Sequence, residues 1–181
     1  TEDNAIDIQY NATTDKKTII NMTNHSYFNL NGDPSISSMN QVLYLAADSI
    51  TPVDDTFMTN GTMMAVTGTP FDFNTPKSID QDVTNFDNEQ IKFGKGFDHN
   101  WVLKTKGDIH QVAAQLTSPI TGITLKVYTN EPGIQVYTGN FLDGTVKGKK
   151  GIVYPQRASV CLETQHYPDS PNKKHWHSVV L

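Results

Sequence analysis

The stretch Thr124–Thr138, TLKVYTNEPGIQVYT, holds the clearest alternation of apolar and polar side chains in the sequence. Two such runs flank the polar segment Asn130–Gly133, whose Pro and Gly are typical of a turn. We therefore predict an antiparallel hairpin at this place. Successive side chains of a strand point to opposite faces, so Gln135 and Tyr137 are expected on one face and the apolar residues between and before them on the other.

Short runs rich in Val, Ile, Thr and Tyr continue outward in both directions, bounded by Gly, Pro, Asn or Asp. This spacing is typical of an all-β sandwich or barrel. No long helical period, internal repeat or linker interrupts it, so we predict one all-β domain over residues 1–181, with a short helix near Ile79–Thr84. The loop-rich segment 48–95 is expected to form one wall of a binding site. The predicted strands are Ala5–Asn11, Lys17–Thr23, Gln41–Ala46, Met63–Thr67, Asn100–Leu103, Gln111–Ser118, Thr124–Thr129, Gly133–Thr138, Gly151–Tyr154, Ser159–Gln165 and Ser178–Leu181.

The composition excludes several classes of function. The 181 residues carry a formal net charge of -5, and Arg157 is the sole arginine, so a nucleic-acid partner is not expected. Apolar runs are far shorter than the roughly 18 residues of a membrane span, so no membrane partner is expected either. The lone Cys161 rules out an internal disulfide framework. Serine-hydrolase and nucleotide-binding signatures do not occur in the sequence.

The segment Asn21–Gly32, NMTNHSYFNLNG, runs from a predicted strand into a polar and aromatic loop. Its His25 is the type of side chain best suited to proton transfer near neutral pH. Neighbouring amides such as Asn24 can orient an imidazole or bind a polyhydroxyl ligand. A histidine satisfied within a loop network remains the alternative from these residues alone.

The segment Gly94–Trp101, GKGFDHNW, is a Gly-flexed loop that ends in Asp98, His99, Asn100 and an indole. Carboxylate and amide oxygens accept hydrogen bonds from sugar hydroxyls, and an aromatic face packs against sugar C–H groups. The segment lacks the third Gly of a dinucleotide fingerprint. An ordinary turn in which the aspartate caps backbone N–H groups is the alternative.

The segment Ser159–Pro168, SVCLETQHYP, is predicted to be a strand that places Glu163 on the same face as Cys161. A carboxylate held partly away from water is disposed to act as a base, because burial favours its protonated form. A surface glutamate is the alternative. The thiol itself is expected to be a small buried packing residue, since nothing in the sequence supplies a base for it.

The segment His175–His177 places two imidazoles on one side of an extended chain, with His166 upstream. Three histidines can hold a metal ion, but their spacing fits no standard zinc pattern. We therefore predict no metal site.

Four segments in order resemble the galactose mutarotase (aldose 1-epimerase) family. The resemblance extends from Asp7 to about Leu181. The four segments are Asn24–Leu30, NHSYFNL; Gly96–Trp101, GFDHNW; Gln135–Phe141, QVYTGNF; and Cys161–Asp169, CLETQHYPD.

The resemblance implies a large antiparallel β-sandwich, present here in part, that interconverts the α and β anomers of galactose and glucose without a cofactor. It makes His25 the general acid and Glu163 the general base. Asp98 and Gln135 match positions that hydrogen-bond sugar hydroxyls, and Asn24 is expected to contact the substrate as well.

The Asn- and Thr-rich character resembles the fungal branch, in which this module is often fused behind a UDP-galactose 4-epimerase domain. The family's upstream substrate-binding Arg and second His have no match, so the chain is expected to be incomplete and to lack the N-terminal part of the domain. We expect a cytoplasmic protein. Two alternatives stay open: a non-catalytic sugar-binding or regulatory module, and a relative acting on hexose phosphates, for which Lys173 and Lys174 would supply cations.

Overall fold

The computed structural model describes residues 4–181, and within them the chain forms ten strands and one short α-helix. Every pair of neighbouring strands is antiparallel, which confirms the all-β antiparallel prediction. The elements are β1 (Tyr27–Phe28), β2 (Val42–Leu45), β3 (Ala47–Thr51), β4 (Met64–Ala65), β5 (Lys77–Ser78), α1 (Glu89–Gly94), β6 (Asp98–Leu103), β7 (Ala114–Thr117), β8 (Thr124–Val127), β9 (Gly133–Tyr137) and β10 (Val160–Gln165), with 3-10 turns at Ser38–Asn40, Ile79–Gln81, Lys149–Gly151 and Ser170–Asn172.

The strands make two sheets that share one core. Six strands follow the order β1-β10-β9-β6-β3-β4, and four follow the order β5-β2-β7-β8. Buried side chains from both sheets pack into one cluster, which includes Leu43 and Leu116 from the smaller sheet and Trp101, Ile134 and Val160 from the larger. The apolar positions of the central strands therefore face inward, and their polar positions are left on the opposite face of the larger sheet.

The predicted hairpin is wrong. β8 pairs with β7 in the smaller sheet, whereas β9 lies between β6 and β10 in the larger one. The segment Asn130–Gly133 therefore carries the chain from one sheet to the other, and Leu103 N–H donates to the carbonyl of Pro132 on the way. Alternation fixes which side chains face the core, but any antiparallel partner satisfies it equally well, so the partner was not encoded in the pattern.

Several predicted strands at the two ends of the chain do not form. Residues 5–11 are irregular, and Lys17–Thr23 meets Ser178–Leu181 only through an isolated bridge between Ile19 and Val180. Gly151–Tyr154 likewise retains one bridge, from Val153 to Lys147.

Other elements were absent from the sequence prediction. The elements that were not predicted include β1, β3, β5 and α1. The helix predicted near Ile79–Thr84 is instead a 3-10 turn over Ile79–Gln81. The Asn88 side chain caps α1 by accepting from the N–H groups of Gln90 and Ile91, and Lys95 ends the helix with a left-handed φ of 56°. No helix within residues 4–181 combines the length and apolar character that crossing a membrane requires.

Candidate functional site

The polar face of the larger sheet forms the floor of an open cleft of about 470 Å³. Four of the five predicted site residues meet in it, and they come from segments far apart in the sequence. The cleft is lined by His25, Tyr27, Phe57, Asp98, Gln135, Tyr137, Phe141, Glu163, Gln165 and Pro168.

The strand register explains why these residues converge. Gln135 on β9 lies opposite Glu163 on β10, and Tyr137 lies opposite both Asp98 on β6 and Cys161 on β10. Side chains of residues directly opposite each other share one face, with Cβ atoms about 4.5–5.5 Å apart. The face predicted for Gln135 and Tyr137, and that predicted for Glu163 and Cys161, are therefore the same face of one sheet.

Asn24 takes another place. It is not among the residues that line the cleft, and its Oδ1 accepts a hydrogen bond from the backbone N–H of Ser26. Asn24 thus shapes the turn that carries His25 and leads into β1, and its contact with the substrate stays a prediction.

The imidazole of His25 and the carboxylate of Glu163 form a close pair. His25 Nε2 lies 3.2 Å from Glu163 Oε1, and the side chains are 48% and 9% exposed respectively. Burial raises the pKa of Glu163 above its ordinary value; Asp98 adds to the rise, while His25 opposes it. A carboxylate that is partly desolvated and faces a histidine is suited to accept and return a proton.

A second polar pair lies beside the first. Gln135 Nε2 donates to Asp98 Oδ1 at 2.8 Å. Burial raises the pKa of Asp98, against the lowering effects of this hydrogen bond and of His25. The other end of the amide, Gln135 Oε1, is buried and has no donor among residues 4–181. A buried acceptor without a partner is costly, so this oxygen is disposed to accept a hydrogen bond from a ligand hydroxyl.

Aromatic rings that the sequence analysis did not assign to the site form its wall. The His25 ring stacks on Tyr27 with centroids 5.0 Å apart, and Tyr137 stacks on Phe141 at 6.3 Å. Phe57 packs edge-on against Phe141, from a backbone with φ 65°. Tyr137 shares the face of Gln135, so strand parity could have identified it. Phe57 belongs to the segment predicted to form a wall, but no local pattern distinguishes it there.

Arg157 does not line the cleft, but it hydrogen-bonds the loop that leads into it. Its Nη1 donates to Asn140 Oδ1 at 2.7 Å, and its Nη2 donates to the carbonyl of Lys95 at 2.9 Å. Asn140 in turn donates to the carbonyls of Gly94 and Phe97. These bonds fix the loop that leads into Asp98.

The remaining predicted candidates lie elsewhere. His99 faces the core, where burial lowers its pKa to about 3, so it stays neutral. His166 Nδ1 lies 2.6 Å from Glu131 Oε2, with the ring of His177 nearby. His175 instead contacts the carbonyl of Gly61 at 3.1 Å. The described part of the chain therefore does not gather the three C-terminal histidines into one metal-binding set.

A larger cavity, about 600 Å³, lies between residues 52–64 and α1. Met58, Met63 and Phe93 give it an apolar lining, and Gln90 joins its walls by bonding both the N–H and the carbonyl of Val53. None of the predicted site residues lines it.

Comparisons with known proteins identify the family of the chain. The model of the family described as aldose 1-epimerase matches residues 1–181. The chain belongs to the aldose 1-epimerase family. It is 41% identical over 174 residues to human galactose mutarotase, which covers 96% of this chain and 49% of that protein. It is 42% identical over 176 residues to Escherichia coli aldose 1-epimerase, covering 97% of this chain and 50% of that protein.

Solved structures of the aldose 1-epimerase family share the fold. The aldose epimerase homologue from C. elegans superposes with a TM-score of 0.81 at 31% identity, over 93% of this chain and 49% of that one. Galactose 1-epimerase from Lactobacillus acidophilus gives a TM-score of 0.75 at 34% identity, over 93% and 46%. The chain thus spans about half the length of the relatives it matches.

Proposed function

We propose that this chain carries the acid–base pair of an aldose 1-epimerase that interconverts the α and β anomers of D-galactose and D-glucose. The observation that carries the proposal is the 3.2 Å approach of His25 Nε2 to Glu163 Oε1, in a cleft that also holds the Asp98–Gln135 pair. The sequence similarity of the chain to human galactose mutarotase and to Escherichia coli aldose 1-epimerase supports the same type of reaction.

The reaction needs one base and one acid that act together. The Glu163 carboxylate takes the proton from the C1 hydroxyl while protonated His25 gives its proton to the ring oxygen. The bond from C1 to the ring oxygen breaks, and C1 becomes the carbonyl carbon of the open chain. After rotation about the C1–C2 bond, the hydroxyl that was the ring oxygen attacks the other face of C1. Glu163 returns its proton to the carbonyl oxygen and His25 recovers its own, so no proton is gained or lost.

The charge states required at the start are those of an ion pair, which suits the observed contact between the two side chains. Proton transfer by each positioned group contributes typically about 10²–10⁴-fold. Two such groups can supply a substantial acceleration without a metal or an organic cofactor.

The second pair has a binding role in this proposal. Gln135 Oε1 and the Asp98 carboxylate accept hydrogen bonds from sugar hydroxyls, which would give the unpartnered amide oxygen its missing donor. The rings of Tyr137 and Phe141 offer an apolar face to sugar C–H groups.

Polarimetry of freshly dissolved α-D-galactose tests the proposal. The chain should speed the decay of optical rotation above the spontaneous rate, and Glu163→Gln should remove the acceleration. Glu131→Gln is a matched control, because it makes the same change in a His–Glu contact outside the cleft. A folded chain that leaves the spontaneous rate unchanged would contradict the proposal.

The two alternative functions give different results in the same experiment. A non-catalytic sugar-binding module would bind galactose in a calorimeter without changing the rate of mutarotation. A hexose-phosphate epimerase needs cations at the cleft. None of the lining residues described is a lysine or arginine, Lys173 is paired with Asp169 at 3.0 Å, and Lys95 Nζ contacts the Phe141 ring, 5.0 Å from its centroid. We therefore favour an uncharged aldose.

Four expectations from the sequence stay predictions within this proposal. They are the single partial domain over residues 1–181, the fungal type, the cytoplasmic location, and the fused UDP-galactose 4-epimerase domain. The family's upstream substrate-binding Arg and second His have no match in this sequence. The activity of the 181-residue chain tests whether catalysis requires them.

A further inference from the structure

Cys161 lies next to the proposed acid–base pair of His25 and Glu163, although the proposed reaction does not use its thiol. It is fully buried on β10, two residues before Glu163 and on the same face of the strand. The Cys161 Sγ, an imidazole nitrogen of His25 and a carboxylate oxygen of Glu163 all lie within 4.8 Å of one another. Among residues 4–181 this is the group of three side chains placed to share one metal ion.

The donor set and its spacing suit zinc. Thiolate, imidazole and carboxylate are the three ligand types that Zn²⁺ takes from proteins, at about 2.3, 2.0 and 2.0–2.2 Å. In a tetrahedral complex these bond lengths put neighbouring nitrogen and oxygen donors about 3.3 Å apart. The observed separation of His25 Nε2 and Glu163 Oε1 is 3.2 Å, so two of the three donors already have the spacing of a bound ion.

We propose that Cys161, His25 and Glu163 bind Zn²⁺ at the floor of the cleft, and that zinc and sugar exclude each other there. The proposal goes beyond the proposed function, because it assigns a ligand of another class to the same place. Three protein donors leave the fourth position of a tetrahedral ion to water. Zinc binds the Cys161 thiolate and the neutral imidazole, so the thiol proton and the proton that His25 carries as the proposed acid both pass to solvent, with no change of oxidation state.

Calorimetric titration of the 181-residue chain with ZnCl₂ tests the site without any sugar. We expect one zinc ion per chain, with a heat that varies with the ionisation enthalpy of the buffer because binding releases protons. Cys161→Ser should weaken binding at least about tenfold, since even an indirect partner of a metal ligand contributes about 10–100-fold. His177→Gln is the control, because it alters the histidine cluster around His166 and should leave the affinity unchanged.

Cobalt absorption supplies an independent readout. Co²⁺ bound through a thiolate should show a sulfur-to-metal charge-transfer band that Cys161→Ser abolishes, and Glu163→Gln should weaken Co²⁺ binding while keeping that band. Equal zinc affinity in the wild type and in a folded Cys161→Ser variant, or the absence of the band, would overturn the proposal. Because both measurements are made without sugar, their outcome is independent of whether the chain catalyses mutarotation.

Competition experiments test whether zinc and galactose exclude each other from the cleft. Galactose should raise the apparent Kd of zinc linearly with galactose concentration, by the factor one plus that concentration divided by the Kd of galactose, and zinc should slow mutarotation relative to the same sample with a chelator. In Cys161→Ser the ratio of the rates with and without zinc should move towards one. Zinc affinity that galactose leaves unchanged would refute the exclusion of one ligand by the other.

Discussion

His25 Nε2 and Glu163 Oε1 lie 3.2 Å apart, so the proposed acid and base contact each other directly. The pairing of β1 with β10 brings the two segments together, because Tyr27 lies opposite Cys161 two residues from each partner. The half-exposed imidazole offsets part of the cost of the buried carboxylate. A sugar must therefore replace this contact with its own hydroxyl and ring oxygen.

Removing either partner should reduce turnover far more than binding. Glu163→Gln and His25→Gln each delete one proton transfer and keep a hydrogen-bonding group of similar size. We expect kcat to fall by about 10²–10⁴-fold in each, with a much smaller change in KM. Polarimetric rates at several galactose concentrations separate the two parameters. A rise in KM at constant kcat would instead assign these residues to binding.

The pKa of Glu163 should respond in opposite directions to its two neighbours. Asp98 raises this pKa and His25 lowers it, so Asp98→Asn should lower it and His25→Gln should raise it further. NMR titration of the Glu163 carboxyl carbon in each variant measures the change. Shifts of the same sign in both variants would show that structural rearrangement dominates over charge.

Much of this site could be predicted from local patterns, and the rest could not. The faces of Gln135 and Glu163 follow from the alternation of their strands, and the buried Cys161 follows from its neighbours. The partner of β9 could not be predicted, because β8 and β6 satisfy the same alternation and the choice depends on packing over the whole sheet. Phe57 reaches the cleft through a long irregular segment whose course depends on tertiary contacts.

The stability of the fold should improve near neutral pH when Asp98 is neutralised. The folded pKa of Asp98 is raised, so the folded state holds this proton more tightly than the unfolded state. As pH rises from the ordinary carboxyl pKa through the raised one, the unfolded state loses the proton first and the free energy of unfolding falls. Asp98→Asn avoids this loss and keeps an acceptor for Gln135 Nε2.

Denaturant unfolding at a series of pH values measures this effect. The difference in stability between Asp98→Asn and the wild type should grow in favour of the variant from about pH 4 to neutrality. If the stability difference between Asp98→Asn and the wild type is constant with pH, the charge of Asp98 contributes nothing to that difference.

Gly96 should be the glycine on which the position of Asp98 depends. Its φ is 136°, and a Cβ there would lie 2.5 Å from both Arg157 Nη1 and Asn140 Oδ1, the groups that fix the loop ahead of β6. Gly96→Ala should therefore combine backbone strain of roughly 1–3 kcal/mol with displacement of this network. Gly122→Ala is the comparison, because Gly122 has a φ of 73° with nothing within 4 Å of the added atom, and it should cost only about 1–2 kcal/mol.

A double-mutant cycle separates crowding from strain at Gly96. If crowding against the guanidinium contributes, Gly96→Ala should destabilise the Arg157→Ala variant less than it destabilises the wild type, with a coupling of about 0.5–3 kcal/mol. Strain in the backbone alone would give equal costs in both backgrounds.

The same two changes should also affect substrate binding. Since Arg157 also donates to the carbonyl of Lys95, each change loosens the loop that carries Asp98, so the KM for galactose should rise together with the loss of stability. Unchanged KM in a destabilised Gly96→Ala variant would show that this loop supports the fold without positioning the carboxylate.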